Sequence, residues 1–466
     1  MTRRILIRGG RVLTMDPTLG ELPRGDVLIE NDRIAAVAAH LDAADAEIVD
    51  VRGHIVAPGM IDTHRHTWQT QLRAICADWT LVDYFLGIRL AISPVYGAED
   101  VRLGNRLGAI DAIDAGVTTI LDFSHCNNTP DHSDAAVEGL RDAGIRAVFG
   151  YGFFESSPSA PPHFLEHRQR LRDFERIADR YFSAEGLLQL GVALSETAPA
   201  QQTAAEIGAA RRRNALIVCH TGCVWALPTG ITELDEAGLL GADQVHVHCN
   251  TLRDDEWKRL ARAGAKVSIS PETELNMGMG RPAFGACERH GIKPTLSCDV
   301  LSLNSGDLFS QLRLGLAFKR WADTETMNLR GEDPVYVTTT AYQALEWVTV
   351  HAAEAIGQSS RLGSLTPGKQ ADIIVVGGAS PSQHPQIDAA GTLVFQCCAR
   401  DVRHVWIAGR MRKRDGAVLD VPMTDLLARA DASAEAVLQR ARARAGELPP
   451  MRGTGFAAMA GSLLGR

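Results

Sequence analysis

The 466-residue chain carries 48 Lys and Arg against 56 Asp and Glu, a net charge of −8 with His neutral, and 45% of its residues are hydrophobic. This is the balance of a globular protein with a sizeable core, and with no long basic run it excludes a phosphate backbone as partner and points to a small-molecule substrate. Nine cysteines, scattered without a Cys-x-x-Cys spacing, read as reduced thiols; the absence of an N-terminal apolar h-region and of some 18 unbroken apolar residues leads us to expect a cytoplasmic protein with no membrane association.

Residues 1–56 read as short strands (RILIRGGRVLTM, GDVLIENDRIAAVA, AEIVDVRGHIV) separated by Gly, Asp and Pro turns. From Gly59 the pattern changes to apolar runs of strand length, each followed by a stretch of helical length. Eight such runs follow in order: VAPGMIDTH, GVTTILDFS, GIRAVFGYG, LLQLGVAL, ALIVCHTG, QVHVHC, AKVSIS and KPTLSCD. Their nearly continuous apolar character suits parallel strands covered by helices, and eight β/α units predict a closed (β/α)8 barrel of the α/β class. Strand-and-turn character returns after residue 362, so the small β-sandwich domain is expected to be discontinuous. The reading divides the chain into 1–58 (first part of the β-sandwich), 59–361 (barrel), 362–418 (second part) and 419–466 (a helical tail, from Met423 to about Ala445, with a fraying Gly-rich end).

His64 and His66 stand two residues apart on the first run, so at strand period both imidazoles point to one face. His220 ends the fifth run, His248 the sixth and Asp299 the eighth. A single histidine in any such place is ordinarily a packed or surface residue. Five such groups at C-terminal strand ends, where barrel enzymes assemble their sites, instead suggest a shared divalent ion.

The segment APGMIDTHRH resembles the opening of the amidohydrolase barrel, with its Pro-Gly-x-x-Asp-x-His-x-His pattern. Further stretches (LRAICAD, DAGVTTILD, SCDVLSLNSGDLFSQLRLGL, VHAAEAIGQSSRLGSLTPGKQADIIVV) are similar to the branch holding cytosine/guanine deaminases, methylthioadenosine/S-adenosylhomocysteine deaminases and triazine chlorohydrolases. The resemblance covers roughly residues 3–415. It implies one divalent metal per chain, zinc with iron as the alternative, held by His64, His66, His220, His248 and Asp299. It further implies Asp299 as the proton-moving base, His248 as a polarising group, and a homodimer or homotetramer.

One departure stands out: relatives of this branch carry His-x-x-Glu on strand 5, and here the segment is His220-Thr221-Gly222-Cys223. General acid help is worth roughly two to four orders of magnitude in rate, so another acid is expected. SPETELNMGMG after strand 7 offers Glu272 and Glu274, and Glu272, closer to the strand end, is the expected catalytic substitute, with Glu274 facing the substrate. Trp68, Gln71, His125 and Asn304 are the further expected substrate contacts. Trp79 is expected to pack against the barrel, His132 to be a surface or capping histidine, His246 a buried hydrogen-bonded one, and Cys223 to stand outside the mechanism. Asn304, Ser305 and Asp307 have a second reading as the start of the following helix. The expected activity is hydrolysis of a C–N or C–halogen bond of a small nitrogen heterocycle. The alternative is an amide hydrolase, or a lyase or hydratase, prompted by Cys223.

Overall fold

The computed structural model describes residues 3–154, 162–183, 186–195, 200–378 and 380–450. Eight parallel strands run round a barrel in chain order: β1 (Met60–Arg65), β2 (Val117–Ser124), β3 (Arg146–Gly152), β4 (Leu188–Ala193), β5 (Leu216–Thr221), β6 (Gln244–His248), β7 (Lys266–Ile269) and β8 (Pro294–Leu296). All residues of β1, β2, β3 and β6 are buried, as the continuous apolar runs require of strands covered on both faces.

The ladder is continuous from β1 to β8, and the seam between these two is made differently. The His66 amide donates to the Asp299 carbonyl and the Asp299 amide to the His64 carbonyl, each at 3.0 Å. Asp62 clamps the same seam: its Oδ1 accepts from the amides of His64 and Cys298, both at 3.2 Å, while its Oδ2 accepts from Arg65 Nε at 2.8 Å. The fully buried Arg65 then donates to the Gly306 carbonyl beyond β8. Thr63, pointing into the barrel, meets Ser268 of β7 and Thr295 of β8 at 2.7 and 2.8 Å.

The strands outside the barrel come from both ends of the chain and are hydrogen-bonded as one mixed nine-stranded sheet. His54–Pro58 lies beside Arg4–Leu13 on one side and, antiparallel, beside Ile373–Gly377 on the other. One apolar face is built from Ile5, Ile7, Val27, Val56, Ile373 and Trp406. The run VAPGMIDTH, expected as one strand, is two: it leaves this sheet at Pro58 and enters the barrel at Met60. At the turn between them a Cβ on Gly59 would stand 2.2 Å from Thr118 Oγ1 and 2.7 Å from Thr118 Cβ, so only glycine passes. A buried bidentate pair, Arg146 of β3 with Asp372, fastens the sheet to the barrel.

The helix Met423–Ala445 buries Leu426, Ala430, Val437 and Ala441. It is tied to the barrel helix Ala98–Asp114 by Arg440 and Ser433 on Asp100 and by Arg429 on Glu99. The expected frayed end falls from residue 451 onward, outside the described residues. Among the described residues no helix is long and apolar enough to cross a membrane.

Candidate active site

At the C-terminal rim, one potential ligand atom each from His64, His220, His248 and Asp299 lies within 4.8 Å of the others. His220 Nε2 stands 3.2 Å from His64 Nε2 and 3.3 Å from His66 Nε2, and Asp299 Oδ1 is 3.0 Å from His64 Nε2 and 3.4 Å from His66 Nε2. All five residues expected to share an ion are thus brought together. The backbone is bent to do this: His248, Cys249 and Asp299 adopt φ of +76°, +59° and +57°. Such left-handed non-glycine residues cost about 1–3 kcal/mol each and are retained where a site needs them.

The nitrogens that face inward are fixed from behind. His66 Nδ1 donates to the Phe123 carbonyl at 3.1 Å, and His248 Nδ1 donates to Glu274 Oε1 at 3.1 Å, so each turns an unprotonated Nε2 to the centre. Burial holds two of the imidazoles neutral: it pushes His64 down to about 4 against the pull of Asp299, and His66 well below 6.5 with the neighbouring His64 adding to the effect. Burial opposes ionisation of Asp299, but the His64 hydrogen bond and the surrounding imidazoles hold it well below the usual carboxylate range. Imidazole nitrogens 3.2–3.3 Å apart beside an ionised carboxylate make a nitrogen-and-carboxylate donor set suited to zinc.

The remaining expected residues divide sharply. His125 stacks on His66 with ring centroids 4.2 Å apart and lines the cavity above the cluster. Its Nδ1 accepts from Trp68 Nε1 at 2.9 Å, which places Trp68 behind His125, buried against Tyr96 rather than on the substrate. Gln71 faces away, donating to the Asp100 carbonyl at 2.8 Å and to Ser433 Oγ at 3.3 Å. Asn304 donates to Thr273 Oγ1 and the Cys298 carbonyl, at 2.7 and 2.8 Å, and so braces a wall residue instead of meeting the substrate.

Glu272 is also corrected. The expected loop after β7 is a helix, Pro271–Asn276, on which residues two apart point about 200° away from each other. Glu274 faces the site and, besides holding His248, accepts from the Ser270 amide at 2.8 Å. It stands behind that imidazole rather than on the cavity lining. Glu272 faces outward and accepts from Gln311 Nε2 at 2.7 Å; burial, with Asp307 nearby, raises its carboxyl to about 7.

His246 is buried with Thr221 Oγ1 at 2.8 Å and Gln244 Oε1 at 3.2 Å. His132 is buried rather than on the surface, and bonds Thr129, the residue before its helix, and the Tyr96 carbonyl. Asp307 caps the helix Leu308–Asn328. Cys223 lies on the cavity wall.

The cavity has walls that carried no signal in the sequence: Leu81, Tyr84, Phe85, Arg89, Met277, Met279 and Val300. The first four come from Leu81–Ile92, a short α-helix running into a π-helical stretch, and such π segments often mark functional sites. A Met-rich, aromatic lining suits a flat apolar ring.

The amidohydrolase family model matches residues 55–412. The chain is 28% identical over 456 residues to a 5-methylthioadenosine/S-adenosylhomocysteine deaminase of Symbiobacterium thermophilum, covering 91% of this chain and 97% of that protein. It is 25% identical to a 5'-deoxyadenosine deaminase of Methanosarcina mazei, over 94% and 99% of the two chains. Among solved structures, a zinc-bound adenosine deaminase from Xanthomonas campestris superposes with a TM-score of 0.81 at 21% identity, covering 93% of this chain and 98% of the other. A mutant atrazine chlorohydrolase from Arthrobacter aurescens, complexed with zinc and atraton, superposes with a TM-score of 0.82 at 21% identity, over 92% and 100%.

Proposed function

We infer that this chain, which belongs to the amidohydrolase family, is a metal-dependent hydrolase that attacks a carbon–nitrogen or carbon–halogen bond of a small nitrogen heterocycle. The observation that carries the reading is the convergence of three Nε2 atoms, those of His64, His66 and His220, with Asp299 Oδ1 at the floor of a cavity lined mainly by apolar and aromatic side chains. These residues and His248 would hold the ion; zinc is our proposal, with iron the alternative. When bound, such an ion lowers the pKa of water toward about 7 and so supplies hydroxide at neutral pH.

The chain's own groups do the rest. Asp299, ionised, takes the proton of the attacking water and delivers it to the leaving group. His248, oriented by the Glu274 carboxylate, directs its unprotonated Nε2 toward the reacting atoms as a polarising and proton-accepting group, while the proton owed to the leaving group comes from Asp299. Phe85, Met277 and Met279 keep bulk water from the ring. A second reading, amide hydrolysis or elimination, draws on Cys223 occupying the position of the absent strand-5 glutamate. We propose a cytoplasmic homo-oligomer acting on a small molecule, with neither nucleic acid nor membrane as partner.

The test is metal content measured together with ammonia and chloride release from purines, pyrimidines, pterins and triazines. About one metal per chain with ammonia or chloride from one ring class supports the first reading. Metal without either product favours the second.

A further inference from the structure

The cavity above the ion site has a wall of hydrogen-bond donors. Tyr84 Oη accepts from Gln69 Nε2 at 2.7 Å, and the orientation of Gln69 is set because its Oε1 accepts from Ser302 Oγ at 2.8 Å. Cys76 Sγ in turn donates to Ser302 Oγ at 3.4 Å. The chain of bonds runs one way and ends on the phenol oxygen, leaving the phenolic proton to be given to something else. Burial pushes this phenol well above 10, so the proton stays on it.

Arg89 is the second donor. One of its amino groups donates to the His125 carbonyl at 3.0 Å and its guanidinium lies 5.1 Å from the Phe154 ring centroid. Among the described residues no carboxylate pairs with it; a guanidinium has five N–H groups, so most of its donating capacity is unspent. The third donor is His125: its Nδ1 accepts from the Trp68 indole, which leaves the proton of the neutral ring on Nε2. All three side chains line the same cavity, and among the described residues the one carboxylate lining it, Asp299, belongs to the ion site.

We propose that Tyr84, Arg89 and His125 form a subsite for a carboxylate carried by the substrate, so that the chain acts on a compact heterocyclic acid. This rests on the reading above that a heterocycle occupies the cavity, and it narrows that reading. A neutral ring closing over Arg89 would strand a desolvated cation, whereas a carboxylate gains charge-assisted bonds from the guanidinium and the phenol together.

The experiment is calorimetric titration of the full-length, zinc-reconstituted protein with isonicotinate and with isonicotinamide, which share a ring and differ in charge. Isonicotinate is expected to bind at least about tenfold more tightly. Arg89→Met is expected to abolish the preference and Tyr84→Phe to reduce it severalfold, with zinc content and thermal midpoint showing that each variant is folded. Equal affinity for the two probes, or a preference that survives Arg89→Met, overturns the proposal, since a carboxylate that merely ligated zinc would be indifferent to Arg89. Should Arg89→Met not fold, an undiminished preference in Tyr84→Phe counts against it equally. Release of ammonia from a neutral ring, with no preference between the probes, defeats this inference and leaves the proposed function standing; a preference without any hydrolysis does the reverse.

Discussion

Replacing Glu272 by glutamine should stabilise the protein at alkaline pH and leave catalysis nearly untouched. In the folded chain the carboxyl titrates near 7 because it is largely buried and faces Asp307, whereas an unperturbed Glu titrates at 4.5. Between those values the unfolded chain has released the proton and the folded chain still holds it. The unfolded state therefore binds fewer protons, and stability falls as pH rises from about 4.5 through 7. A difference of roughly 2.5 units corresponds to at most about 3.4 kcal/mol; with discount for the water that still reaches the group, about 1–3 kcal/mol is expected. The substituted amide could still accept the bond from Gln311 and carries no charge to repel Asp307. Urea unfolding at about pH 5 and about pH 8 gives the measurement: the variant should gain this amount over the wild type at the higher pH relative to the lower. A gain independent of pH would refute the electrostatic reasoning, and a turnover loss beyond about tenfold would return Glu272 to the chemistry.

His64→Ala and His220→Ala should each lose bound metal and activity, while Asp299→Asn keeps most of the metal and loses about 10²–10⁴-fold in turnover, as metal analysis beside rate measurements will show. Equal metal loss in all three would contradict a proton-moving role for Asp299. Glu274→Gln should weaken metal affinity about 10–100-fold in chelator competition, because the carboxylate that orients His248 loses its charge; unchanged affinity would show that this hydrogen bond is dispensable. Gly59→Ala should cost about 1–3 kcal/mol in denaturant titration, since its Cβ meets Thr118 Cβ at 2.7 Å, and a neutral result would mean the turn can shift.

The ion-site cluster and the barrel were legible because both are written in period and position. A β-strand repeats every two residues, so His64 and His66 had to share a face, and a polar residue closing an apolar run lands on the rim. Glu272 and Glu274 were harder, because the same two-residue spacing means opposite faces on a helix, and the run from Pro271 to Asn276 is helical. Proximity along the chain then favoured the wrong carboxylate. Trp68 and Gln71 were misjudged because a segment that follows a ligand strand need not face the ligand: both are buried, against His125 and against Asp100 with Ser433. Arg89 carried no signal, since the π-helical stretch Phe85–Ile92 obeys neither the strand period nor the α-helical one, and Tyr84 ends a four-residue helix too short to show a period.

The closure between β1 and β8 has a bearing on how the enzyme is loaded. Its bonds run between backbone groups and a buried aspartate–arginine pair, and none of them uses a ligand atom. The backbones of His64, His66 and Asp299 are therefore positioned by the polypeptide, independently of what their side chains hold. A chelated sample is therefore expected to keep its barrel and to regain activity on recharging, and thermal unfolding before and after chelation is the check: collapse of the fold on chelation would show that the ion is needed to build the site as well as to work in it.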